Sequence, residues 1–184
     1  MTARKILLAT LGIALFVTAA AEARPRPGGH INGRRFDANK TFGLGLELGV
    51  PSGVIGKYFL ASDRALDFGV GALYSFNSHN GIHVYGDYLY HPVSLASTED
   101  FELPLYVGLG ARIWSFDNRR DDGVVDSAFG VGFRVPVGIS FDFNNVPLDA
   151  FVQVVPTLDL FSGYAGHSAG IDIDLSLGIR YWFN

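Results

Sequence analysis

The chain has 184 residues, no cysteine, 48% hydrophobic residues and a formal net charge of −4. That length makes one domain; the missing thiols exclude a disulfide framework and a lipid-modified cysteine anchor. An acidic balance without a clustered basic surface excludes nucleic acid as a partner.

Residues 1–23 stand apart from the rest. Arg4 and Lys5 precede the apolar run "ILLATLGIALFVTAA", and Ala21-Glu22-Ala23 places small residues where a signal peptidase reads. This is the pattern of a secretory signal peptide, cut before Arg24; the run falls short of the roughly 20 residues an uncleaved membrane anchor needs. Residues 24–40, "RPRPGGHINGRRFDANK", are rich in Arg, Gly and Pro. Such a composition buries no core, so the segment reads as a flexible basic tail, with contact to anionic lipid headgroups as its sharper alternative.

From Thr41 the hydrophobic pattern has a period of two, the signature of strands. "TFGLGLELGV" sets Phe42, Leu44, Leu46, Leu48 and Val50 against Gly43, Gly45, Glu47 and Gly49. "VIGKYFLA" places Tyr58 and Leu60 opposite Lys57, and "ALDFGVGALYSF" repeats the first pattern around Asp67, Gly69 and Gly71. "IHVYGDYLYHPV" opposes Ile82, Val84, Tyr88 and Tyr90 to His83, Tyr85, Asp87 and His91; "LPLYVGLGARIWSF" opposes Leu105, Val107 and Leu109 to Gly108, Gly110 and Arg112. In "FGVGFRVPVGISFDF" an apolar stripe faces away from Arg134, Ser140 and Asp142. "LDAFVQVVPTLDL" carries Asp149, Gln153 and Asp159 on its polar side, and "IDIDLSLGIRYWF" carries Asp172, Asp174, Ser176, Gly178, Arg180 and Trp182. These eight segments predict an all-β fold over residues 41–184: an eight-stranded antiparallel up-and-down transmembrane β-barrel. Pro136 and Pro156 fall inside the sixth and seventh segments. The alternation keeps its phase across both, which predicts a local distortion and not a strand end.

Which face is inside decides the class. A soluble barrel turns its apolar face inward, whereas a membrane barrel turns it to lipid and keeps the polar face within. Glycine pairs such as Gly43/Gly45, Gly69/Gly71, Gly108/Gly110 and Gly130/Gly132 lie on the polar faces, where a small closed barrel is crowded and sharply curved. Most segments reach the 9 to 11 residues that a tilted membrane strand requires. Aromatic residues gather at stripe ends, as interface girdles do. The membrane orientation is therefore expected, with Glu47, Lys57, Asp67, Asp87, Arg112, Arg134, Asp142, Asp149, Asp159, Asp172, Asp174 and Arg180 forming a charged interior network. Charges in so narrow a space must pair or stay hydrated, and an interior of eight strands is filled by side chains. A packed plug is expected over a conducting pore.

No catalytic site, metal or cofactor emerges. His83 and His91 share a face but lie eight residues apart, roughly 26 Å along a strand. His167 and Ser168 adjoin a glycine-rich loop, and a nucleophile with its base also needs a third orienting group. Asp172 and Asp174 beside Arg180 read as paired charges. With both termini at one mouth, the long, charged connection Asp117–Ala128 lies at the other, and Ala96–Glu102 is a fairly long turn on the near side.

The stretches "GLGLELGVPSG", "ALDFGVGALYSF", "ELPLYVGLGARI", "VGFRVPVGISFDFNNVPLDAFVQVVPTLDL" and "LGIRYWF" together resemble a family of small, poorly characterised Gram-negative outer-membrane β-barrels, similar in architecture to OmpA-type barrels. The resemblance implies an eight-stranded outer-membrane fold without an established activity. The ending resembles the C-terminal signal read by the barrel-assembly machinery, with Ser176, Gly178, Tyr181 and Phe183 at its positions; Asn184 follows where such signals stop. The expectation is a monomeric outer-membrane barrel with a structural or surface-interaction role, in contact with outer-membrane lipids and without enzymatic chemistry. Two other readings compete with it. One is a lipid-modifying outer-membrane enzyme with serine, histidine and acid near the outer rim. The other is a soluble periplasmic barrel lining an apolar cavity.

Overall fold

Alternating sequences with bulky apolar residues on one side and small or charged ones on the other pair best as sheet, and the chain closes that sheet on itself. The computed structural model describes residues 33–74, 80–119, 125–162 and 170–183, and the signal-peptide expectation lies outside them. The described residues form nine strands: β1 (Phe42–Gly49), β2 (Ser52–Ala61), β3 (Arg64–Tyr74), β4 (Asn80–Ser97), β5 (Phe101–Arg119), β6 (Val125–Arg134), β7 (Val137–Phe143), β8 (Leu148–Ser162) and β9 (Gly170–Phe183). Every neighbouring pair is antiparallel, and β1 pairs β9 from Phe42↔Phe183 to Gly49↔Ser176, which closes the ring. β6 and β7 both pair β5 on one side and β8 on the other, so together they fill one position of an eight-position barrel.

The split of the sixth segment corrects the expected distortion without a strand end. In an antiparallel ladder the N–H and C=O of one residue point to the same neighbour. Gly108 N donates to Pro136 O (2.8 Å), so the donor missing from Pro136 would have faced β5. Val135 N donates to Pro156 O (2.9 Å), so the donor missing from Pro156 would have faced Val135. The two prolines remove rungs on both sides of one point, and the strand stops there. β8 runs on through Pro156 because its other edge keeps register with β9.

The far connections are tighter than expected. Strand pairing reaches Arg119 and resumes at Val125, so most of the Asp117–Ala128 connection is ladder. At the near mouth the Ala96–Glu102 turn shrinks likewise, with β4 ending at Ser97 and β5 starting at Phe101. The β1–β2 turn bends at Gly49, whose φ of 125° favours glycine. The Ser52 hydroxyl closes this turn, with hydrogen bonds of 3.0 Å to both the N–H and the carbonyl of Gly49.

Residues 33–40, expected as part of a flexible tail, instead pack into the mouth that bears the termini. β4 carries two register shifts there, between Tyr90 and Val93 and between Ser94 and Ser97. Ser94 is left to exchange both backbone bonds with Arg34 (3.2 and 2.7 Å). Ala38 N donates to Ser62 O, and Phe36, 1% exposed, lies against Phe59 and His91 at ring distances of 5.8 and 5.2 Å. A composition dominated by Arg and Gly hid one aromatic anchor.

The two faces argue against one of the competing barrels. Leu48, Leu109 and Ile171 point outward, 64%, 64% and 83% exposed, while Arg134, Arg180 and Lys57 are 0–1% exposed inside. A soluble barrel with an apolar lining has the reverse arrangement, so that reading is overturned. Apolar packing among the described interior residues includes the small clusters Ile55–Tyr85–Phe151 and Ala65–Leu89–Tyr106, set between charged layers.

Candidate functional site: the charged interior

Side chains from every position of the ring meet in layers along the axis. Nearest the termini, the Lys40 ammonium donates to Asp142 Oδ1 and to the Phe143 carbonyl (2.9 Å). One layer in, Lys57 Nζ lies 2.8 Å from His91 Nε2 and 4.8 Å from the Tyr106 ring centre. An ammonium only donates, so His91 Nε2 accepts; its Nδ1–H is left to face the Asp63 carbonyl at 3.4 Å.

In the middle, the Arg180 guanidinium grips Asp149 with two parallel bonds of 3.0 and 2.9 Å and reaches Asp67 at 3.3 Å. Its flat face covers the Phe151 ring at 4.3 Å. Arg134 sits 3.1 Å from Asp87 and 3.7 Å from the Tyr85 ring centre. The Tyr85 hydroxyl donates to Glu47 (2.8 Å), as does Gln153 (3.0 Å), whose carbonyl in turn accepts from Tyr106 (3.1 Å). At the far end Arg112 joins Asp159, through bonds of 2.9 and 2.8 Å, to Asp174 at 2.6 Å.

Of the twelve residues expected inside, ten are buried, and Asp159 is partly so. Asp172 is the exception: it is exposed at the far mouth, where its carboxylate accepts from the backbone N–H of Ile173. Its face of β9 is the interior face, but the strand has by then risen above the packed layers. Arg180 pairs with Asp149 and Asp67, not with Asp172 or Asp174.

Inside the ring, four aromatic side chains lie over a glycine directly opposite on the next strand: Tyr85 over Gly69, Tyr106 over Gly138, Phe151 over Gly178 and Trp182 over Gly43. A Cβ at Gly69 would stand 2.5 Å from the Tyr85 ring, and one at Gly178 would stand 2.6 Å from Phe151. The glycines thus make room for rings that fill the interior.

No curated protein matches the chain. The family described as "Protein of unknown function (DUF3996)" matches it over residues 34–183. The chain is a DUF3996 protein. This DUF3996 barrel is similar in fold to the crystal structure of the N-terminal β-barrel domain of Pseudomonas aeruginosa OprF, with a TM-score of 0.60. The two share 17% identity over 80% of this chain and 99% of that one. The match to DUF3996 starts inside the packed N-terminal segment.

Sequence reasoning missed Lys40 as a member of the DUF3996 interior. Tyr85, His91, Tyr106 and Gln153 stand on the polar side of their strands, so period two placed them inward but did not make them part of the expected charged network. Their partners come from strands distant in the chain, and only the register between strands supplies those. Of the lipid-modifying chemistry weighed as an alternative, His83 and His91 both point inward and are fully buried. His167 and Ser168 lie outside the described residues. Among the described residues no group of three or more His, Cys, Asp or Glu is arranged to hold a metal.

Proposed function

We propose that this protein is an outer-membrane β-barrel, exported by a cleaved signal peptide and inserted by the barrel-assembly machinery, with a structural or surface-interaction role. The observation that carries the reading is its inverted polarity. Exposed contiguous apolar surface on a monomer marks an interaction face, and here that face runs around the whole ring. Lipid is the environment that covers such a band on every side at once. Tyr58, Tyr88, Tyr90 and Tyr181 on the near half, beside the termini, suit the aromatic girdle of one interface. On this reading the near mouth is periplasmic and the far connections reach the cell surface.

The buried ion pairs serve as a plug. Pairs of this kind add little net stability over apolar packing, so their value lies in holding a ring of glycine-rich strands at one diameter. In β9, Ser176, Gly178, Tyr181 and Phe183 act as the assembly signal, with Phe183 at the seam against Phe42 (rings 6.1 Å apart). Membrane extraction with gel mobility before and after heating tests the proposal. Resistance to alkaline extraction and a compact band that shifts on heating are expected. Recovery in the soluble periplasm, with no heat-dependent shift, refutes it.

A further inference from the structure

The outward face of β3, β4 and β5 is not evenly covered. Register sets Phe68, Gly86, Ala111 and Phe133 in one row across four strands. The two middle members are too small to fill it, which leaves an open apolar groove of about 530 Å³ between the two rings. A Cβ at Gly86 meets nothing within 4 Å, so the groove is not something that strand packing demands.

Toward the near rim the same face continues through Leu66 and Tyr88 to Arg64 and its cross-strand partner Tyr90. Arg64 stands four residues from Phe68, about 13 Å along the strand. Its side chain is 56% exposed and interacts with Tyr88. Arg64 and Arg35 share one carboxylate, Asp63, at 3.7 and 3.3 Å. Two guanidiniums on a single carboxylate leave excess positive charge at this point of the rim.

A groove for hydrocarbon that ends in a cationic and phenolic rim matches a molecule with an acyl chain below and an anion above. We propose that this face binds one anionic phospholipid, with an acyl chain between Phe68 and Phe133 and its phosphate on Arg64 and Tyr88. The inference rests on the membrane location proposed above and adds a specific lipid to it. Charge-assisted bonds from guanidinium and phenol to phosphate hold the headgroup. A zwitterionic lipid brings an ammonium against Arg64 and gains less.

The test uses the mature chain folded in detergent, with lipid retention read by native mass spectrometry against dioleoyl phosphatidylglycerol and dioleoyl phosphatidylcholine. Selective retention of one phosphatidylglycerol is expected. Arg64→Gln should lower it about fivefold, the effect of one basic residue near an anionic surface. Gly86→Leu, which fills the groove, should lower it at least as much. Both variants should keep the heat-shifted compact band of a folded barrel. Equal retention of the two lipids, or retention unchanged by either substitution, overturns the lipid site while a membrane-embedded barrel still stands. A wild-type chain that is soluble and shows no heat shift overturns both.

Discussion

Arg180 lies between Asp149 and Asp67 with 1% of its surface exposed. Removing one member of a buried ion pair strands the other charge, at a cost of about 3–5 kcal/mol. Arg180→Ala should therefore lose that much in a urea titration of the compact band. Arg35→Ala, whose side chain is 79% exposed, should change stability by no more than about 1 kcal/mol. The glycine–aromatic pairs make a second case. Gly69→Ala drives a methyl group into the Tyr85 ring and should cost about 1–3 kcal/mol, as overpacking does. In the Gly69→Ala/Tyr85→Ala double variant the two losses should be clearly less than additive, because the clash vanishes with the ring. Residue by residue, charge and alternation told which side chains point inward. They did not tell which carboxylate each guanidinium takes, since Arg112 finds Asp159 and Asp174 across 47 and 62 residues of chain.

Among the elements, strands whose faces differ sharply were legible, and β1, β3 and β9 match the expected alternation. The exceptions trace to backbone rather than side chains. Pro136 ended a strand because Pro156, twenty residues on, removed the rung on its other side; neither proline alone carries that information. The segment from Gly33 to Lys40 was misread because overall composition outweighed two residues in it, Phe36 and Lys40. Phe36→Ala removes the ring held by Phe59 and His91 and should free this segment. Limited trypsin digestion should then cut after Arg35 many times faster than in the wild type, while the compact barrel band persists. Equal cutting rates would mean that the ring does not anchor the segment.

For the whole molecule, the proposed membrane location makes a demand that no soluble fold makes. Val152 is 49% exposed on the outward face of β8. A surface substitution at such a position in water stays within about 0.5 kcal/mol, whereas arginine facing the bilayer midplane costs about 2–4 kcal/mol. Val152→Arg should show the larger loss when the barrel is refolded into lipid vesicles and titrated with urea. Phe183→Asp should leave the strand pattern unchanged and reduce the amount of barrel inserted in cells; undiminished assembly would count against the terminal signal. The N-terminal segment also bears on the order of events. Its contacts come from β2, β4 and β7, which occupy alternate positions along five of the eight in the ring. No single hairpin offers all three at once. The seat for Phe36 and Lys40 needs the run from β2 to β7 paired and curled into the barrel wall, so residues made early in synthesis settle late. Protection of the Arg35 cleavage site is thus a clock that starts when that wall has formed.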